Sequence, residues 1–268
     1  MKIDLATFQT RQDGGMTKDE GEALVESLGR RLDDLEDLLY YAGTHSLLVV
    51  FQGRDTAGKD GAIRTLLRYV NAQSCHVWPF KVPTEEELAH DFLWRIHKRT
   101  PGKGEMAVFN RSHYEDVLVV RVHDLAPKEV WSTRYERINE FEKVVADNKT
   151  IILKFMLWIS KEEQEERLLA REQEVEKSWK LSVGDWKERD YWDDYTAAYQ
   201  DVLDKCSAAH APWHVVPADR KWYRDCVVLK TIVDALEPYR EGWLDELKAL
   251  GDERKSELQE FRKAATSE

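Results

Sequence analysis

Cysteine is scarce in this chain: three residues in 268, Cys75, Cys206 and Cys226, none close to another in sequence. That spacing suits neither a disulfide framework nor a cysteine metal site, and it fits a reducing, cytoplasmic setting. Long apolar runs are also missing. The longest, about Leu47 to Phe51, is far too short to span a bilayer, and the start shows no basic-then-apolar leader pattern. Nor is there an excess of basic residues. The formal net charge is −11, which argues against a nucleic-acid binder. It leaves room for a smaller anionic substrate, because a cationic groove can sit on an acidic body. The expectation is a cytoplasmic protein with no nucleic-acid and no membrane partner.

What the chain does have is enough apolar material for one large domain. Hydrophobic residues make up 42% of it, with ten Trp and ten Tyr that need a core or a ligand to cover them. After an irregular arm of about fifteen residues, Leu24, Leu28, Leu32, Leu35 and Leu39 recur at helical spacing. Thr17 with Glu20 predicts a capping box, and Gly43 a C-cap. Ser46–Gln52 reads as a strand buried on both faces, typical of a parallel sheet. A helix is expected from Asp60 to Val70, strands at Cys75–Phe80 and Met106–Phe109, and one helix from Pro83 to about Lys98. Further on come a helix at Ser132–Asp147, a strand at Ile151–Trp158, a charged helix at Lys161–Trp179, a short strand at Trp213–Val216 and a helix at Trp222–Leu236. The tail is helical, with Trp243, Leu244, Leu247 and Leu250 on one stripe. Alternating strands and helices predict a doubly wound α/β fold.

The sharpest local signal is Gly53-Arg54-Asp55-Thr56-Ala57-Gly58-Lys59-Asp60. It matches G-x-x-x-x-G-K, follows a predicted buried strand and opens a predicted helix. A phosphate-binding loop needs that context, since loop amides and the helix N-terminus together hold phosphate oxygens. Lys59 is expected on the transferring phosphate. Asp60 stands where Ser or Thr usually helps hold Mg²⁺. Two carboxylates beside bound phosphate repel it unless a cation lies between them, and oxygen ligands suit Mg²⁺. Asp55 and Asp60 are therefore the metal candidates, with Asp55 preferred; the ordinary alternative for Asp60 is a helix cap.

With these residues the chain resembles the polyphosphate kinase 2 family, whose loop carries Asp-x-Ala-Gly-Lys-Asp, matched by Asp55 to Asp60. Further ordered blocks carry the resemblance: Lys81 to Thr84 with His90 to Arg95; Phe109 to Val117; Arg167 and Arg171 with Trp179 to Ser182; and Ala211 to Tyr223. The resemblance implies a P-loop kinase-like sheet flanked by helices, with a helical lid at about 161–190. The core would span 46–236, with an N-terminal arm and helix over 1–45 and a C-terminal helical extension over 237–268. It implies Mg²⁺ (or Mn²⁺) as cofactor, and inorganic polyphosphate and adenine nucleotides as partners in reversible phosphoryl transfer. Where many members have Asp-Arg, this chain has Asn110-Arg111, so a metal must rely more on Asp55. Glu115-Asp116 is similar to the subclass taken to phosphorylate both AMP and ADP.

On this resemblance Asp55, Lys59, Arg111 and Arg171 are the catalytic candidates, Arg171 as the lid arginine that neutralises the transferring group. Gly53, Arg54, Thr56, Ala57, Gly58, Asp60, Lys81, Arg167 and Lys180 join Lys59 as phosphate-binding residues. Asn110, Glu115 and Asp116 join Arg111 on the nucleotide. The bland alternatives are a solvated charged helix for Arg167 and Arg171, and macrodipole-stabilising acids for Glu115 and Asp116. Two other functions remain open: a P-loop kinase that uses ATP as donor, and a binding module with a degenerate site. The leucines of the first helix and the stripe around Trp243 suggest a homo-oligomer, a dimer or tetramer.

Overall fold

Ser46–Gln52 forms β1, and all seven of its residues are buried. Their side chains alternate between two cores: Leu47, Val49 and Phe51 face one, Leu48 and Val50 the other. A strand covered on both sides belongs inside a parallel sheet, and there it lies. In the computed structural model, which describes residues 3–173 and 183–265, five strands run in the order β2-β3-β1-β4-β5. The others are β2 (Cys75–Pro79), β3 (Met106–Asn110), β4 (Thr150–Trp158) and β5 (Trp213–Pro217), and every pairing is parallel. The register sets Phe51 beside Asn110 and Gln52 beside Met156. The loops leaving β1, β3, β4 and β5 therefore gather at one edge, where doubly wound sheets bind ligands.

The first core lies under α1 (Lys18–Ala42), α2 (Lys59–Leu66), the Lys221–Leu236 helix and Trp243. Thr17 and Glu20 cap α1 reciprocally, and Gly43 closes it in the left-handed region. At Gly21 the Trp222 ring packs so closely that a Cβ would fall 2.2 Å from it, so the absence of a side chain is what lets the Lys221–Leu236 helix lie against α1. The second core lies under the Arg134–Asp147 and Trp192–Lys205 helices and the amino-terminal arm. That arm is pinned by Leu5, whose carbonyl accepts from Trp158 Nε1 at 3.0 Å, and by Thr10 Oγ1, which donates to Asp219 at 2.8 Å.

Some expectations need correction. The helix expected from Pro83 to about Lys98 is two short ones, Glu85–Leu88 and Trp94–His97. Thr84 and Glu87 cap the first as a box, but Asp91 then turns its carboxylate onto the Leu93 amide at 2.9 Å and begins a new turn. The helix after the P-loop stops at Leu66 rather than Val70. The Trp192–Lys205 helix, with Ala198, Tyr199 and Val202 buried, was not evident from the sequence. Of the two stripes that suggested self-association, the first is buried at Leu32, Leu35 and Leu39, and the second at Trp243 but not along its length: Leu244 and Leu247 are half-buried. Apolar residues left exposed on the C-terminal helix are Leu250, Leu258 and Phe261. Among the described residues, no helix is long and apolar enough to cross a membrane.

Candidate active site

The loop from β1 into α2 closes on itself. Ala57 N–H donates to Arg54 O at 3.1 Å, and Lys59 Nζ folds back to Gly53 O at 2.7 Å and Arg54 O at 3.0 Å. Gly58 sits at φ 98, and a Cβ there would meet Arg224 Nη1 at 2.2 Å. Both the backbone and the neighbour thus demand glycine. Arg224 Nη1 donates to Gly58 O at 3.1 Å, so a buried arginine supports the loop from below. Burial, and next the Arg111 charge, push the Lys59 ammonium down to about 8.

Arg111 enters from the end of β3 in the left-handed region, at φ 62, with its N–H bonded to Phe51 O at 3.0 Å. Its guanidinium meets Asp55 at 2.5 Å and Glu115 at 3.3 Å. Glu115 above all, with Asp55, outweighs burial and holds Arg111 firmly charged. Beside it, Asn110 Nδ2 donates to Asp60 Oδ1 at 2.8 Å.

The Lys161–Gln173 helix supplies Arg167 and Arg171. Arg167 is fully engaged: Nε with Glu163 at 2.8 Å, Nη1 with Thr56 O at 2.8 Å, Nη2 with Ala218 O at 2.7 Å and Asp219 O at 3.0 Å. It fastens the helix to the loop and to the segment after β5. Arg171 pairs with Asp185 at 2.7 Å, and burial, then the Asp55 charge, raise the Asp185 carboxyl.

These groups line one cleft of about 570 Å³. Among the described residues its walls carry eight cationic side chains, Lys59, Arg64, Lys81, Arg111, Arg167, Arg171, Lys221 and Arg224, against two carboxylates, Asp55 and Asp60. Thr56, Gly58 and Asn110 line it too, and the buried Thr56 hydroxyl has no hydrogen-bond partner among the described residues. No histidine lines it. Arg64, Lys221 and Arg224 were not among the sequence candidates. Lys221 falls within the Ala211 to Tyr223 block, the one signal the sequence offered for it.

Other candidates go elsewhere. Gly53, Arg54 and Glu115 line a neighbouring pocket with Gln164, Glu188, Trp192, Tyr195 and Tyr199, and the two pockets share Asp55 and Arg111. Arg54 does not line the larger cleft. Its guanidinium lies 3.8 Å from the Trp192 ring centroid and 4.5 Å from that of Trp158, and bonds Trp192 O and Thr196 Oγ1 at 2.6 Å each. Burial pushes it down to about 10. Ala57 is buried and its N–H is spent in the turn. Asp116 lines neither pocket; it pairs with Arg134 at 2.9 Å, and burial pushes its carboxyl up to about 6 despite that partner. Lys180 lies outside the described residues, as do Lys177 and Trp179.

A divalent cation fits the donor set in a limited way. Among the described residues no three acidic, histidine or cysteine groups converge as a metal cluster. Asp55 and Asp60 offer oxygen alone, and Mg²⁺ commonly binds one or two carboxylates with the rest of its shell from phosphate and water.

The polyphosphate kinase 2 family model matches residues 15–241. An AMP/ADP-polyphosphate phosphotransferase of Meiothermus ruber is 51% identical over 78% of this chain and 79% of its own. An ADP-polyphosphate phosphotransferase of Rhodopseudomonas palustris is 40% identical over 97% of this chain and 93% of its own. The crystal structure of polyphosphate kinase 2 from Arthrobacter aurescens TC1 superposes with a TM-score of 0.86 at 43% identity, covering 88% of this chain and 86% of that one. A match of this extent, over a parallel sheet that carries a P-loop, places the chain in the polyphosphate kinase 2 family.

Proposed function

We propose that the protein transfers phosphoryl groups reversibly between inorganic polyphosphate and adenine nucleotides, AMP or ADP. One observation carries this reading: on a chain of net charge −11, eight cationic side chains and two carboxylates among the described residues line one cleft at the P-loop, and cations still outnumber acids when the outer partners Glu115, Glu163, Asp185 and Asp225 are included. That local excess suits a ligand with many negative charges.

The polyphosphate end occupies this cleft, with its terminal phosphoryl group at Lys59 and Arg111 and the rest of the chain toward Lys81, Arg64 and Lys221. The acceptor nucleotide approaches from the side of Asn110 to Glu115, next to the neighbouring pocket, which at about 30 Å³ has to widen before it can take any part of the ligand. Asp55 and Arg111 border both pockets, so the reacting groups meet there. A nucleotide phosphate has a second pKa of about 6 and is already ionised at neutral pH. It needs no general base, in keeping with a cleft without histidine. Its oxygen forms a bond to the terminal phosphorus while the bond to the penultimate phosphate breaks, and the chain leaves one unit shorter.

The residues contribute alignment and charge cancellation. Lys59 and Arg111 hold the transferring group. Arg171 faces it from the helix above, and Arg167 keeps that helix on the loop. Asp55 and Asp60 would hold Mg²⁺, which when bound supplies further neutralisation of the phosphates. An arriving phosphoryl group competes with Asp55 for Arg111, and this releases a carboxylate oxygen.

The test is long-chain polyphosphate with AMP or ADP, with and without Mg²⁺, reading ATP or ADP formed. Metal-dependent turnover that disappears in Lys59→Ala, with the circular dichroism spectrum unchanged, is expected. If ATP alone serves as donor and polyphosphate is neither made nor consumed, the protein is an ATP-dependent kinase instead.

A further inference from the structure

The sheet has a second cleft, at the opposite edge from the P-loop. It measures about 440 Å³ and lies where β1, β4 and β5 begin. His45 precedes β1, Lys149 precedes β4, and His210 and Pro212 precede β5; Tyr239 closes one side. None of its lining residues is Asp or Glu, in a chain that has 51 of them.

The chemistry of His45 is defined by its neighbours. Trp243 Nε1–H, which can only donate, faces His45 Nδ1 at 3.2 Å, and Thr44 Oγ1 lies 2.9 Å from the same nitrogen. Nδ1 is therefore the acceptor, and the proton of the neutral ring is on Nε2. That N–H has no hydrogen-bond partner among the described residues. Burial, then Lys149 and Lys103, hold the ring below its ordinary range, and Lys103 is itself lowered by burial and by Lys149. No carboxylate contributes to either shift, and among the described residues none forms an ion pair with Lys103 or Lys149. Their placement is imposed by the fold. Lys149 sits at φ 60 with its carbonyl accepting from Ser46 N at 3.2 Å, and Lys103 Nζ donates to Asn148 O.

We propose that this cleft is a second anion site, binding a small phosphate-bearing ligand through Lys149 and the Nε2–H of His45, with the Tyr239 ring as a wall and Lys103, outside the lining, adding its charge. It is separate from the phosphoryl-transfer site: β1 in full length lies between His45 and the P-loop. The shared chemistry is a phosphoryl dianion, carried either on a nucleotide or on a short inorganic phosphate.

The experiment is equilibrium dialysis of the full chain against AMP and, separately, tripolyphosphate, comparing wild type with Lys103→Glu/Lys149→Glu. Both lysines are exposed, so the charge reversal leaves folding and kcat at saturating substrate intact. The wild type is expected to bind one more equivalent of at least one probe than the variant does. An AMP-only difference assigns the ligand to nucleotides, and a tripolyphosphate-only difference to inorganic phosphates. Equal stoichiometry and affinity for both probes in the two proteins overturns the site. Should the variant fail to fold, ¹⁵N spectra of the wild-type His45 ring decide: the Nε2 resonance moves on adding a probe, and no movement with either probe rejects the proposal.

Discussion

Arg111 and Tyr114 stand three residues apart on one turn, and each belongs to a cluster of opposite charges, yet the clusters differ in kind. At the cleft, Arg111 holds Asp55 and Glu115, and Arg111 and Asp55 remain 31% and 30% exposed. In the core, Lys154 meets Glu142 at 2.5 Å, Tyr114 Oη at 2.7 Å and Cys206 O at 2.8 Å. Glu142 also accepts from Tyr114 at 2.8 Å and faces His113 Nε2 at 3.2 Å. Here no side chain is more than 1% exposed. Water already competes at the first cluster, so its partners can be exchanged for phosphate at little cost. At the second, nothing can replace a lost partner, and a bare buried charge is expensive. The segment 111–116 joins them: Tyr114 and His113 anchor it in the core, and Arg111 and Glu115 present the exchangeable charges.

The largest effect expected is at the exposed cluster. Arg111→Ala lowers kcat on the order of 10³–10⁵-fold, the range for an arginine on a transferring phosphoryl group, with little change in the urea midpoint. A variant that keeps most of its kcat removes Arg111 from the reaction. At the buried cluster the effect moves to stability. Lys154→Met costs about 3–5 kcal/mol in urea unfolding, and Lys154→Met/Glu142→Leu recovers much of it. A single variant as stable as wild type would erase the distinction between the clusters.

Asp55→Asn is smaller: it weakens one charge-assisted contact and the proposed metal ligand together. Turnover falls roughly tenfold, about 1.4 kcal/mol, and half-saturation shifts to higher Mg²⁺. An unchanged Mg²⁺ titration refutes the metal role.

The smallest effect concerns pH. His113 is held below its ordinary 6.5, by burial first, so the folded state resists a proton that the unfolded chain accepts. Burial raises Glu142, but Lys154 and His113 more than offset it and leave it below its ordinary 4.5. Both groups contribute stability that is present above those values and lost as pH falls below them. The urea midpoint should decline as pH drops from about 6.5, and in His113→Gln the part of the decline between 6.5 and 4.5 should be shallower, with His45 and His214, also held low by burial, supplying what remains. Identical profiles would assign the loss to other groups.

What could be read in advance was local. The capping box of Thr17 and Glu20, the apolar run of β1 and the Gly53 to Asp60 loop each carry their geometry in neighbouring residues. The departures come from distant partners. Arg54 looks like a loop cation, but Trp158 and Trp192 draw it away from the cleft that Lys59 and Arg111 line. Arg167 looks like a free arginine on a charged helix, but backbone carbonyls of Thr56, Ala218 and Asp219 claim it. No spacing pattern reveals a carbonyl aimed at a guanidinium from a segment about fifty or more residues away. The aromatic pocket depends on the Trp192–Lys205 helix, whose few buried positions give a faint periodicity.

The notch at Gly21 has a bearing on how far the molecule can be trimmed. Trp222 seats there, and the next residues along its helix include Arg224, which underpins the P-loop. Shortening the chain to begin at β1 would bare that indole and loosen the support beneath Gly58. The smallest working catalyst is therefore expected to start at or before Thr17, although no residue of α1 lines either pocket at the P-loop.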